Sequence, residues 1–161
     1  MVRWLDWHVN LVTVDTNDDW HTAATVLRLA SQLVEGVQAG LAHRGFDDVR
    51  PAHGFAFVRI SAGGTTTGEL AVHLGITKQA ASQLVEQLVQ RGYLTREEDP
   101  RDARARVLRL TERGRGCTAA ARAAAIETVE AWRGQLEPAQ FETLRTALDV
   151  VVVPGRLRPS W

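Results

Sequence analysis

Apolar positions along this chain fall into blocks of helical spacing, interrupted by one stretch that alternates instead. Asn17-Asp18-Asp19 are good capping residues, and behind them Trp20, Ala24, Leu27, Ala30, Val34, Val37 and Leu41 keep one face apolar up to Gly45. This predicts a helix of roughly 26 residues, about 39 Å long. Its stripe exceeds what a small domain covers, so part of it is expected to pack on another chain. Pro51 opens a second helix, carrying Phe55 and Val58 inward with Phe57 and Ile60, until Ala62-Gly63-Gly64 breaks it. Thr66 and Glu69 then have the capping-box spacing ahead of inward Leu70, Ala71 and Leu74, and Gly75 ends this short helix. Ile76 is expected to plug the turn, Thr77 to cap the next helix, and Ala81, Leu84, Val85 and Leu88 to form its buried stripe up to Gly92. Two helices joined by a three-to-four-residue turn containing glycine make a helix-turn-helix.

After Gly92 the period changes. Residues 93–96 and 106–111 alternate apolar and polar side chains, as half-buried strands do, and the polar stretch 97–105 between them contains a proline, so a hairpin with a charged tip is expected. A helix follows from Thr111-Glu112 to Gly134, and a last one starts near Pro138 with Phe141, Leu144, Ala147, Leu148 and Val151 on one side, before Pro154 ends regular structure. Residues 1–16, with Val2, Trp4, Val9, Leu11, Val12 and Val14 among polar neighbours, suggest an extended arm without a clean helix or strand pattern. The predicted fold is mainly α with a small β-wing: an N-terminal arm (1–17), a dimerisation helix (18–48), a winged helix-turn-helix (49–111), and C-terminal dimerisation helices with a tail (112–161).

Composition sharpens this picture only where it is uneven. The 161 residues carry 45% hydrophobic and 24% charged side chains, ordinary for a globular domain, and the net charge is zero. The charge is not spread evenly: residues 91–115 hold eight arginines against five acids. No apolar run approaches the roughly 20 residues of a membrane span, and charge interrupts Met1–Asp6 too early for a signal peptide, so a cytoplasmic protein is expected. The single cysteine, Cys117, can form neither an internal disulfide nor a CxxC clip, and the five histidines show no ligand spacing, so no metal or other cofactor is expected. Walker, GxSxG, HExxH and dinucleotide-binding patterns are absent, so an enzyme is not expected either.

A helix-turn-helix followed at once by a hairpin can place its second helix, 77–91, in the major groove of double-stranded DNA and its wing, 95–106, at the neighbouring minor groove. The face opposite the apolar stripe suits that role. Gln79 and Gln83 are candidates for base contact, while Thr77, Lys78 and Ser82 are candidates for phosphate, and Thr66 at the start of the preceding helix joins them. On the wing, Arg101, Arg104 and Arg106 are candidate DNA contacts, because a guanidinium gains from the focused negative potential of a narrow groove. Asp102 is placed to brace Arg104 by an ion pair.

Residues 53–115 carry Glu69-Leu70-Ala71-Val72-His73-Leu74-Gly75-Ile76-Thr77, Arg91-Gly92-Tyr93-Leu94, the wing Asp99-Pro100-Arg101-Asp102-Ala103-Arg104-Ala105-Arg106 and the exit Leu110-Thr111-Glu112-Arg113-Gly114. In this combination the chain resembles the MarR family of bacterial transcription regulators, most strongly over those residues and more loosely from 18 to 152. The resemblance implies a homodimer with interlocked first and last helices, a wing Arg104 entering the minor groove, and most often a repressor on a pseudo-palindromic operator. Ala103 departs from the commoner family pattern, in which a second arginine stands there. The resemblance also implies control by a small molecule or oxidant near the junction of the dimer and DNA-binding parts. Trp20, His21, Arg28, Phe55 and Arg59 are candidates to line a pocket for an aromatic or phenolic acid, and Cys117 is the candidate for oxidant sensing. A winged-helix module that holds a protein partner instead of DNA remains the competing reading.

Overall fold

The computed structural model describes residues 19–99 and 102–153, the side chains at 99 and 102–105 excepted. The arm 1–17, the tail beyond 153, Arg101 and the side chains of Asp102 and Arg104 lie outside that description. The described chain is mostly helical with one small antiparallel sheet, in the order α1 (Asp19–His43), α2 (Pro51–Ser61), α3 (Thr67–Leu74), α4 (Lys78–Gln90), β1 (Leu94–Asp99), β2 (Asp102–Leu110), α5 (Glu112–Arg133) and α6 (Pro138–Val151). This is a winged helix-turn-helix, α3–α4 with the β1–β2 wing, carried between long helices.

The long helices meet where their side chains are smallest. A Cβ built on Gly36 would overlap the Thr128 hydroxyl, and one on Gly40 would overlap the Ala124 methyl, so glycines one turn apart on α1 let α5 approach closely. Beyond them, Arg44, the residue after α1, pairs with Glu127 of α5 at 2.5 Å. Elsewhere α1 is poorly covered: Leu41 is its one buried residue, while Trp20, Val26 and Leu27 are 58%, 55% and 68% exposed. On α6 only Phe141 is buried, under the Arg133 guanidinium at 4.2 Å; Leu144 is half-buried, Ala147 and Leu148 are exposed, and Val150 and Val151 are more open still. The apolar side expected of α6 exists, but the described residues leave it exposed.

The core lies where α2, α3, α4, the wing and the start of α5 converge, and contains Phe57, Ile60, Leu70, Leu74, Val85, Leu88, Tyr93, Leu94 and Leu108. Burial of each such large side chain stabilises by roughly 1.5–3 kcal/mol. The expected inward face of α2 needs correction. His53, Ala56, Phe57 and Ile60 are buried at i, i+3, i+4, i+7, which turns Val58 outward, 50% exposed, and leaves Phe55 half-buried. What fixes that rotation is local: the Arg50 amide donates to His53 Nδ1 at 3.0 Å, so the histidine supplies the N-terminal cap and is drawn into the core.

The capping box of α3 forms as the sequence predicts. The Glu69 amide donates to Thr66 Oγ1 at 3.2 Å and the Thr66 amide to the Glu69 carboxylate at 2.9 Å. Gly75 then adopts φ +70°, and the Ile76 amide donates to the Ala71 carbonyl at 3.1 Å. The Ile76 backbone, not its side chain, therefore closes the turn; the side chain is 38% exposed, contrary to the expectation that it plugs the gap. The wing also differs from its prediction, because its strands extend through most of the polar stretch. They pair from Leu94↔Leu110 to Glu98↔Arg106, with an irregularity between Glu98 and Asp99. Cross-strand charge pairs let polar residues continue a ladder that hydropathy alone would end. A short bridge from Thr65 to Leu108, with the Leu108 amide donating at 2.8 Å, ties the wing to the start of the helix-turn-helix.

Candidate nucleic-acid interface

Ala81, Val85 and Leu88 anchor α4 in the core, and this fixes what its other side presents. Thr77, Lys78, Gln79, Ser82 and Gln83 are all exposed. The Gln79 and Gln83 amides make no hydrogen bond among the described residues, which leaves donor and acceptor groups together on one exposed face. The Thr77 hydroxyl accepts from the Ala80 amide at 3.1 Å and keeps its own proton for an outside acceptor. Ser82 is committed differently: its hydroxyl donates back to the Lys78 carbonyl at 2.9 Å, so a contact from it requires that bond to be exchanged. No acid occupies the first turn of α4, and Lys78 makes no ion pair among the described residues, so cation and helix dipole present one positive end.

Thr66 is half-exposed, with its hydroxyl proton likewise free of the cap it makes. Hydrogen bonds from the Thr66 amide and the Thr65 hydroxyl hold the Glu69 carboxyl below its ordinary value, so the box is charged and closed near neutrality. The wing is more neutral than its arginine count suggests. Arg106 pairs with Glu98 at 2.7 Å, Arg109 with Glu97 at 3.2 Å, and Arg96 with Glu86 of α4 at 2.9 Å. These are solvated pairs worth about 0–1 kcal/mol each, weak enough for a phosphate to displace the carboxylate. The expected ion pair of Asp102 with Arg104, and the roles of Arg101 and Arg104, fall on side chains outside the description.

One of the five effector-site candidates lines an open cavity among the described residues. An open cavity of about 460 Å³ is lined by Arg59, Gly68, Glu69, Val72 and His73; of the candidates only Arg59 reaches it, donating to the Gly64 carbonyl at 3.3 Å. Phe55 packs on the core, while exposed Trp20, half-buried His21 and exposed Arg28 lie on α1. Cys117 is 1% exposed, and burial, aided by Asp48, pushes its thiol up to about 11, the opposite of a reactive thiolate. No group of three metal-ligating side chains occurs among the described residues, and no helix there is long and apolar enough to cross a membrane.

Tyr93, Arg91 and Arg113 stand in the sequence only as parts of motifs, and the structure joins them with Asp48 in one cluster. Tyr93, fully buried between α4 and β1, donates its hydroxyl to Asp48 at 2.5 Å and accepts from Arg113 of α5 at 3.0 Å. Arg113 also lies 4.7 Å over the Tyr93 ring, and Arg91, the C-cap of α4, donates to the Asp48 carbonyl at 2.7 Å. Gly92-Tyr93-Leu94 reads as the start of a strand, which conceals that Tyr93 precedes β1 and points into the joint. A buried tyrosine beside a glycine that must adopt φ +75° is the signal that was available.

The model of the MarR family matches residues 50–105, which contain the helix-turn-helix and most of the wing. This segment is similar to a MarR-family winged helix. Solved structures extend the likeness of fold along the chain. The MarR-like chain resembles RV1404 of Mycobacterium tuberculosis at 22% identity and TM-score 0.73, over 85% of this chain and 94% of that one. It resembles the transcriptional regulator Tm0710 of Thermotoga maritima at 24% identity and TM-score 0.65, over 82% and 92%. A MepR variant of S. aureus bound to an oligodeoxyribonucleotide is similar at 19% identity and TM-score 0.63, over 80% and 93%. No curated protein matches the chain significantly. Thr66, Thr77, Lys78, Gln79, Ser82 and Gln83 lie within the matched segment on α4 or at the caps of α3 and α4, and Arg106 lies on β2, one residue beyond it.

Proposed function

We propose that this protein is a homodimeric, sequence-specific DNA-binding transcriptional regulator that acts as a ligand-responsive repressor. Its α4 enters the major groove of each half of a pseudo-palindromic operator, and its wing reaches the minor groove. The observation that carries the reading is the face of α4: Gln79 and Gln83, with amides unengaged among the described residues, beside Lys78, without an ion pair among them, at a helix N-terminus, on a helix fixed from behind by Ala81, Val85 and Leu88. Glutamine amides can bond base edges, and a cation with amide N–H groups suits phosphate. The dimer is supported by apolar surface that the described residues do not cover, on α1 at Val26 and Leu27 and on α6 at Val150 and Val151. In this reading an aromatic or phenolic acid reaches the junction near Arg59 and shifts the heads between states of unequal DNA affinity.

The wing ion pairs favour one competing reading, an interaction module that holds a protein, since three arginines are already neutralised from within. Selection from a pool of random duplexes separates the two. A regulator enriches a two-fold symmetric motif with half-sites about one turn, near 34 Å, apart. An interaction module enriches none.

A further inference from the structure

The recognition helix must be held at a fixed angle to whatever sets the distance between two half-sites. The structure ties the end of α4 to the long helices at a polar joint. Three segments meet there: the loop after α1, through Asp48; the end of α4 and the residue before β1, through Arg91 and Tyr93; and the first turn of α5, through Arg113. The Tyr93 hydroxyl is the hub, donating to Asp48 and accepting from Arg113, with the Asp48 carboxylate 3.7 Å from Arg113. The backbone is locked at the same place. The Tyr93 amide donates to the Leu88 carbonyl and the Tyr93 carbonyl accepts from the Thr111 amide, while a Cβ on Gly114 would overlap that carbonyl oxygen. Phe46, from the loop holding Asp48, closes the other side against the Tyr93 ring and the Arg113 guanidinium.

We propose that Tyr93, Asp48 and Arg113 are positioning residues that fix the angle of α4 to the α1–α5 frame, and so determine which half-site spacing the protein accepts. None of the three is a DNA-contact candidate. Directed hydrogen bonds hold an angle where apolar packing tolerates sliding, and the joint adds them to the apolar core that α4 shares with both long helices. This rests on the DNA reading above. One added base pair separates half-sites by about 3.4 Å and rotates them by about 35°, a mismatch that a rigid joint transmits and a loose one absorbs.

The test measures binding of the full chain to duplexes carrying the selected half-sites at the preferred spacing and at one base pair more or less, together with a single half-site duplex. Tyr93→Phe keeps the ring and deletes both hydroxyl bonds; Arg113→Gln, at an exposed position, provides a second loosening that leaves the core intact. The wild type is expected to lose about tenfold or more per base-pair change, on the scale of a mismatched site. Both variants are expected to reduce that penalty to less than about threefold while binding the single half-site as the wild type does. Retention of the full penalty in both variants overturns the proposal, as does equal loss at every spacing and on the half-site, which is what a merely structural role gives. A wild type without any spacing preference overturns the DNA reading itself, and the proposed role with it.

Discussion

Gly40 offers the sharpest test of how the long helices are assembled. Adding one methyl there gains helix propensity, up to about 1 kcal/mol for alanine over glycine. The methyl must also overlap the Ala124 side chain and stand 3.3 Å from the Ala124 Cα, a backbone atom that cannot rotate away. Arg44 Nη1 is 3.2 Å off but belongs to a flexible side chain, so Ala124 decides the sign. Forcing α1 and α5 apart also strains Ala120 and Cys117, buried on the same helix. Overpacking of this kind costs about 1–3 kcal/mol, so Gly40→Ala is expected to destabilise by about 1–2 kcal/mol net. Gly54 of α2 is the control: nothing described lies within 4 Å of a Cβ built there, so Gly54→Ala is expected to stabilise by about 0.5–1 kcal/mol. Urea unfolding at one fixed protomer concentration, with m unchanged, reads both variants, and the two midpoints should move in opposite directions. Thermal midpoints should shift by about 2–4 °C per kcal/mol. If Gly40→Ala stabilises as much as Gly54→Ala does, the close α1–α5 approach is wrong.

Three further outcomes follow from the side chains described. Burial, and secondarily the Arg91 charge, lowers the pKa of His53, so the unfolded chain binds more protons below an ordinary histidine value of about 6.5; stability should fall as pH drops through that value toward the lowered one, and His53→Gln, which can still accept from the Arg50 amide, should flatten melting temperature against pH between 7 and 5. The Cys117 thiol should react with iodoacetamide at least about a hundredfold faster once urea unfolds the chain, and fast labelling of the native protein at neutral pH would contradict its burial. Glu86→Gln removes a carboxylate from the α4 surface and releases Arg96; anisotropy titrations should show tighter binding to any duplex and a salt dependence steeper by up to about 0.9, whereas an unchanged slope would show that Arg96 never reaches phosphate.

Features controlled by neighbours in sequence were legible before any coordinates. Thr66 with Glu69, Thr77, Thr111 and Pro51 mark helix starts because caps act over three residues, and the α4 stripe follows from period alone. Features controlled by distant contacts were not. Val58 and Phe57 are adjacent apolar residues, and only the cap made by His53 decides which is inward. The wing strands outlast their hydropathy because Glu98 and Arg106, eight positions apart, satisfy each other. Asp48 and Tyr93 are 45 positions apart, so the joint is invisible to periodicity. The α4 candidates were readable as a face, but the commitment of Ser82 to its own helix was not. Aromatic and basic residues on two helices suggest a pocket, and packing among the described residues places Arg59 at the mouth of one.

The central claim is that α4 reads DNA with a division of labour between Gln83 and Lys78. The most direct measurement is a salt series on the selected operator and on its single-base variants, for the wild type, Gln83→Ala and Lys78→Ala. Lys78→Ala should weaken all sequences alike and reduce the salt slope by about 1, while Gln83→Ala should keep the slope and lose about 1–3 kcal/mol of discrimination at one position per half-site. Equal loss on every sequence from Gln83→Ala, or binding of the wild type that neither salt nor sequence alters, would contradict the account.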